Sequence, residues 1–309
     1  MVTSYTENPD NFYEVSELVE SEAESIKEIF FSAKQIFFYD ACSFQRHSNL
    51  PDEEKNILIN YFKVRESAIF LTRCILMEIS SDSHLLKDEF VCFLKALKAN
   101  GIRIGIFDEE YTYDILSECF STNEKVNEYL MWSVRTVKSP VGTIHKTLRL
   151  DKKLSAELIE GENLKQSGLY KKFFSAVRSN KERHDNLGEE LMAVCINILS
   201  YMPGLNDGKL CVLTDDKGAV SKFHSVCCKK SYGGSKIIIF STPKLVQHMY
   251  MDHIEISEIQ MENLLTHGTC GNIVFWGISP FDLDVSRMSM SAIDLVHKIL
   301  TPNEIKIVF

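Results

Sequence analysis

Four carboxylates stand at the ends of apolar runs that lie far apart in the chain. Asp40 follows the run 35–39, Glu78 follows the run 71–77, Glu189 opens the helical pattern of 189–199, and Asp216 closes the run that begins at Leu210. Parallel α/β sheets bind ligands just beyond the carboxyl ends of their strands. Acids converging there would form a site for a hard divalent cation, which prefers oxygen ligands.

Each acid also has a plainer use. Asp40 can cap the turn after its strand. In Thr214-Asp215-Asp216, neighbouring side chains point differently, so Asp216 is favoured as the ligand and Asp215 is kept as the lesser candidate. Asn186-Leu-Gly-Glu189 resembles a capping box, which leaves Glu190 as an alternative inward-facing acid. Glu78 is flanked by Leu76, Met77 and Ile79, so free solvation is disfavoured, although an amphipathic helix would still expose it. Asp108-Glu-Glu110 reads as a charged helix start favoured by the helix dipole.

The elements that must position these acids alternate between helix and strand. Residues 11–32 show an amphipathic helical pattern with Val15, Leu18, Ile26, Ile29 and Phe30 on one side. Strands are expected at 35–39, 102–107, 210–213 and 236–240, with helices around 52–66, 87–99, 111–137 and 187–200. Asn100-Gly101, Pro140 to Gly142, Pro203-Gly204 and Gly233-Gly234 punctuate them. Strands separated by helices require crossover connections, so the chain is read as three-layer α/β/α with a mostly parallel sheet. Residues 251–309 hold strand-like 272–277, a helix near 289–300 and a last strand 305–309. They either extend the sheet or make a small appended unit. The expected organisation is a helical segment 1–32, a main domain 33–250 and an extension 251–309.

Composition bounds the rest. The chain has 309 residues, 45% of them hydrophobic and 25% charged, with a net charge of −9, as in ordinary globular proteins. It shows no apolar run of membrane-spanning length and no signal-peptide pattern at its acidic start. Nine scattered cysteines, without a CxxC, read as reduced core thiols; Cys227-Cys228 is the only adjacent pair. The expected compartment is therefore the cytoplasm. Residues 135–183 carry twelve Lys/Arg against five Asp/Glu, with Tyr170, Phe173 and Phe174 interleaved. That segment is either a helical pair with a solvated face, with Leu169, Phe173 and Val177 at core spacing, or a nucleic-acid surface. Phosphate-loop, dinucleotide-fold and hydrolase-elbow motifs are absent, and the nine histidines form no close ligand pair. A haloacid-dehalogenase pattern would want an acid at position 42, where Cys42 stands.

The combination resembles the PIN-domain nucleases. The matching features are Phe37-Phe-Tyr-Asp40-Ala-Cys-Ser after the first strand, and Thr72-Arg-Cys-Ile-Leu-Met-Glu78 after a second apolar run. They continue with Gly188-Glu189-Glu-Leu-Met-Ala193 opening a helix, and Val212-Leu-Thr214-Asp215-Asp216 at a strand end. The resemblance covers residues 33–250 and departs from the family in a long insertion at 111–186 and in the extra segment 251–309.

This resemblance implies a metal-dependent nuclease using Mg²⁺ or Mn²⁺. Asp40 and Asp216 would bind metal directly, Glu78 would hold a metal or its water, and Glu189 or Glu190 would complete the set. Thr214 would orient an acid or touch the phosphate. Single-stranded RNA is the substrate the resemblance favours, its phosphates tracked by Lys171, Lys172, Arg178, Lys181 and Arg183. The competing expectation is a nuclease-like scaffold that binds RNA or protein without cutting, with its acidic start and C-terminal extension as protein interfaces.

Overall fold

The computed structural model describes residues 5, 7–139, 141–183, 185–227, 234–280 and 284–309, without the side chains of 224–227. Pro140, His184, Cys228 and Gly233, and the side chains of His224 and Cys227, therefore lie outside the described residues.

Continuous apolar runs make poor solvent-facing strands, and here they become the centre of a sheet covered on both faces. Strands β1 (Gln35–Tyr39), β2 (Ser67–Thr72), β3 (Arg103–Phe107), β4 (Leu210–Leu213) and β5 (Ile238–Phe240) form one sheet in the order β3-β2-β1-β4-β5. Every pairing in it is parallel. All residues of β1, β2 and β4 are buried. Phe37 packs against Tyr61, Phe62 and Phe240, while its neighbour Phe38 packs against Phe70 and Phe107. This is the alternation a pleated strand imposes. The fold is α/β, with helices flanking the sheet in three layers.

The helices, in chain order, begin with α1 (Ala23–Ser32), α2 (Ala41–Ser48), α3 (Asp52–Val64), α4 (Arg73–Ile79) and α5 (Asp88–Ala99). Then follow α6 (Tyr111–Ser117), α7 (Asn123–Val137), α8 (Thr143–Leu150), the single turn α9 (Lys152–Ser155) and α10 (Leu169–Ser179). The last five are α11 (Leu187–Leu199), α12 (Lys217–Cys227), α13 (Thr242–Met251), α14 (Glu258–Thr266) and α15 (Ala292–Leu300). None among the described residues is long and apolar enough to cross a membrane.

Two helical expectations are corrected. The pattern at 11–32 is not one helix: a short turn at Phe12–Glu14 and an extended stretch precede α1. Glu20 N–H donates to Ile104 O and Ile106 N–H donates to Glu20 O, both at 2.8 Å. The unpaired edge of β3 thus claims backbone groups that a continuous helix would have used internally. The stretch 111–137 divides into α6 and α7, because the Thr122 hydroxyl caps α7 by accepting from Lys125 N at 3.3 Å.

Residues 251–309 do not extend the main sheet. Strands β6 (Ile273–Ile278), β7 (Ser286–Met290) and β8 (Lys306–Ile307) make a separate antiparallel sheet in the order β7-β6-β8. Gln247 of α13 ties it down, donating to Ile305 O and accepting from Ile307 N, both at 2.8 Å. Arg46 of α2 donates to the carbonyls of Leu264 and Leu265 at the end of α14.

Candidate functional site

Chain order makes β1 the switch point of the main sheet. The chain leaves β1 toward β2 and β3 on one side, then returns to place β4 on the other. Crossover helices diverge there, and open parallel sheets commonly bind ligands in a crevice at such a point. Asp40 and the Thr214–Asp216 turn stand at the two lips of that end of the sheet, just after β1 and β4. Asp40 N donates to Leu213 O at 2.9 Å, which carries the β1–β4 ladder one step into the turns.

The two lips are bonded to each other. The Thr214 hydroxyl donates to Asp40 Oδ2 at 2.9 Å and accepts from Asp216 N at 3.1 Å. The Cys42 thiol donates to the same Asp40 Oδ2 at 2.8 Å, and Ala41 N donates to Oδ1 at 2.8 Å. Asp216 Oδ1 accepts from Gly218 N at 2.6 Å and Ala219 N at 3.0 Å, so it starts α12 while remaining exposed.

Glu78 and Glu189 arrive from helices. Glu78 lies in the last turn of α4, whose start is capped by Thr72. Glu189 lies in the first turn of α11. The two helices approach closely because position 188 is glycine: a Cβ there would stand 2.6 Å from Glu78 Oε2 and 2.7 Å from Ile75 Cδ1. Alanine in a helix is worth about 1 kcal/mol over glycine, but overpacking costs about 1–3 kcal/mol. Gly188→Ala is expected to lower stability on balance in urea denaturation; a more stable variant would refute the tight approach.

Burial and mutual repulsion govern the charges. Burial, the largest cause, raises Asp40, with Asp216 adding to it against the hydrogen bonds from Cys42, Thr214 and Ala41. Burial raises Glu78; Lys181 opposes, and Asp40 and Asp185 add. Glu189 is pushed up to about 7 by burial, which Lys222 opposes and Asp40 and Asp216 reinforce. The carboxylates from four separate segments therefore sense one another. Two ammonium groups flank them. Lys222 Nζ is 3.3 Å from Glu189 Oε2, and Lys181, its side chain 1% exposed, pairs with Asp185 at 2.8 Å.

The Glu189 shift has a sign that can be checked. Between about 4.5 and 7 the folded protein holds a proton that the unfolded chain has released, so stability falls as pH rises through that window. The loss amounts to about 3 kcal/mol for a shift of this size. Denaturation midpoints of the metal-free protein at pH 4.5 and 7.5 should show it, and Glu189→Gln should flatten the profile. An equally steep profile in the variant would remove Glu189 as the cause.

Five candidate assignments are corrected by position, the first being Lys181, which is buried and paired with Asp185 rather than open to a strand's phosphates. Asp215 is tied up between elements: it accepts from Thr242 N and Thr242 Oγ1, both at 2.7 Å, and from Ser43 Oγ at 3.2 Å, with Arg46 3.5 Å away. Glu190, 1% exposed, turns away from the crevice and accepts from Ile144 N at the start of α8 at 3.1 Å. There Gly142 makes room, since a Cβ would meet Glu190 Oε1 at 1.8 Å. Arg178 is buried in an ion network with Asp108 at 3.1 Å, Glu109 at 2.6 Å and Glu110 at 2.9 Å. Those three acids are thus partners of Arg178 and Arg73 rather than a plain helix start; α6 begins only at Tyr111. Lys172 pairs with the largely buried Glu157, whereas Lys171 and Arg183 are exposed. Lys222 gave no signal in the sequence because its partner lies 33 residues away on another helix.

The donors suit a hard cation in kind, being carboxylate oxygens held in partly dry surroundings. Among the described residues, no three His, Cys, Asp or Glu side chains are gathered closely enough to hold a metal ion together. Comparison of this chain with protein-family models, with curated proteins and with solved structures returns no match.

Proposed function

We propose that the protein is a metal-dependent nuclease that hydrolyses phosphodiester bonds in single-stranded RNA at the crevice beyond β1 and β4. One observation carries this reading. Burial raises Asp40, Glu78 and Glu189, with Asp216 adding at Asp40, Asp40 adding at Glu78, and both Asp40 and Asp216 adding at Glu189. Carboxylates that raise one another in partly dry surroundings are a common mark of a functional site. Asp40, Glu78, Glu189 and Asp216 would have to draw together to hold Mg²⁺ or Mn²⁺, since no three such side chains among the described residues surround one point. The bound ion would lower the pKa of water and offset charge developing on the phosphate.

The chain's own groups prepare that chemistry. Thr214 fixes Asp40 and the Asp216 backbone in one geometry. The exposed Lys171 and Arg183 remain available for phosphates of the strand. Buried free thiols at Cys74, Cys195 and Cys211 suit a reducing compartment such as the cytoplasm.

The test is cleavage of labelled single-stranded RNA in Mn²⁺ against a chelator control, together with Mn²⁺ titration calorimetry. A second reading, a scaffold that binds RNA or protein without cutting, is favoured by the Lys222–Glu189 ion pair and by the spacing of the acids. It requires RNA retention under chelation and no site-specific heat with Mn²⁺.

A further inference from the structure

We propose that the cleft between the edge of β5 and the C-terminal strands binds an aliphatic carboxylate, an apolar chain carried on one acidic head. The site is separate from the carboxylate cluster: none of Asp40, Glu78, Glu189 and Asp216 lines it.

The cleft follows from the way the two sheets end. β5 is the outer strand of the main sheet and β8 an outer strand of the second. Helix α13 holds both, through Lys244 to Ile239 O at 2.7 Å and through Gln247 to Ile305 O and Ile307 N. A cavity of about 1330 Å³ lies among these elements, larger than the roughly 300–1,000 Å³ usual for small-molecule sites. Its walls are aliphatic, with seven isoleucines, Ile237, Ile239 and Ile305 among them. Such walls give a flexible chain apolar burial but offer few ring faces to a planar ligand. Tyr250, Met251 and Val285 also line the cavity and remain exposed. Large apolar side chains left exposed around one cleft, rather than scattered singly, mark a binding surface.

Charge selects the head. Lys236, Lys244 and Lys306 line the cavity, and among the described residues no Asp or Glu side chain does. The chain as a whole carries 43 acidic against 34 basic residues, so this local balance runs against its composition. His248 adds an uncharged ring: burial first, then Lys244 and Arg65, lower it to about 4 against Asp252. The Lys244 ammonium already donates to Ile239 O and lies over the Phe240 ring. Lys236 and Lys306 are exposed, and these two would meet the carboxylate in charge-assisted hydrogen bonds.

An added peptide strand fits less well. Phe240 O accepts from Thr214 N on the β4 side, so Ile239 O faces the outer edge of β5. Lys244 occupies that carbonyl, and a lysine on a sheet edge opposes further pairing.

The experiment is titration calorimetry of the full chain with decanoate and with 1-decanol, both below micellar concentrations. The proteins are wild type, the double variant Lys236→Gln with Lys306→Gln, and Met251→Glu, a substitution at a side chain 61% exposed. The expected result is saturable one-to-one binding of decanoate by wild type. Its Kd should rise at least about tenfold in the double variant and also rise in Met251→Glu, while 1-decanol affinity stays unchanged in the double variant. No saturable heat with decanoate in wild type overturns the proposal. So does decanoate affinity indifferent to the lysines, or 1-decanol binding wild type as tightly as decanoate. Binding of an extended valine-rich peptide in place of decanoate would assign the cleft to strand addition and overturn it as well.

Discussion

Asp40→Asn is expected to reduce Mn²⁺-dependent RNA cleavage by roughly 100-fold or more, since changes merely one shell removed from a metal already cost 10–100-fold. The variant should do so without unfolding the protein. Asparagine keeps an oxygen for Ala41 N and removes one negative charge from a cluster in which burial and Asp216 already disfavour it. The Thr214 hydroxyl and Cys42 thiol, which now donate to Oδ2, can rotate to accommodate the amide. Asp216→Asn is a matched partner, because asparagine is as good a helix cap as aspartate and should preserve the start of α12. Loss of cleavage with unchanged melting temperatures in both variants would separate chemistry from stability. Wild-type cleavage in both would sink the nuclease reading.

Arg178→Ala should lower stability by about 3–5 kcal/mol, the usual cost of removing one partner from a buried ionic network. Arg178 is 4% exposed and Glu109 is 0% exposed. Without the guanidinium, Glu109 keeps the hydrogen bond from Cys74 N at 2.9 Å but loses its ionic partner. Asp108 would retain Arg73 at 2.6 Å, and Glu110 is nearer to solvent, so most of the cost falls on Glu109. Burial already raises Glu109 despite Arg178 beside it. In the variant it should protonate more readily, making the deficit larger at pH 8 than at pH 5. Urea denaturation at both values checks the sign, and Glu109→Gln in the same chain should recover part of the loss. A deficit below about 1 kcal/mol at pH 8 would mean that the network contributes no more than an exposed ion pair.

The Arg178 network also shows where local reading stops. In sequence, Arg178 belongs to a segment with twelve basic against five acidic residues, and Asp108, Glu109 and Glu110 follow a strand like ordinary helix-start acids. The two groups are about 70 residues apart, and only the packing of α10 against the β3–α6 turn makes them partners. The same limit applied to the acids. Glu189 and Glu190 are adjacent in α11 and project about 100° apart, and sequence alone gives no reference direction. The seating of α11 against α4 through Gly188, and against α8 through Gly142, points one carboxylate into the crevice and the other into a helix start. The Thr242 and Ser43 bonds to Asp215 decided its neighbour's position in the same way.

By itself the sequence determined what depends on near neighbours. The apolar runs of β1 and β4 read as buried strands, and helices between strands required parallel crossovers. Asp40 and Asp216 therefore had to stand at strand ends, because chain continuity places them there. Tertiary structure alone decided the switch point at β1, the bridge from Glu20 to the β3 edge, the separate C-terminal sheet and the pairing of Lys222 with Glu189. The physical reason is range. Strand and helix formation follow from periodicity within a few residues, whereas the partner of a charge is set by whatever distant surface the fold brings against it.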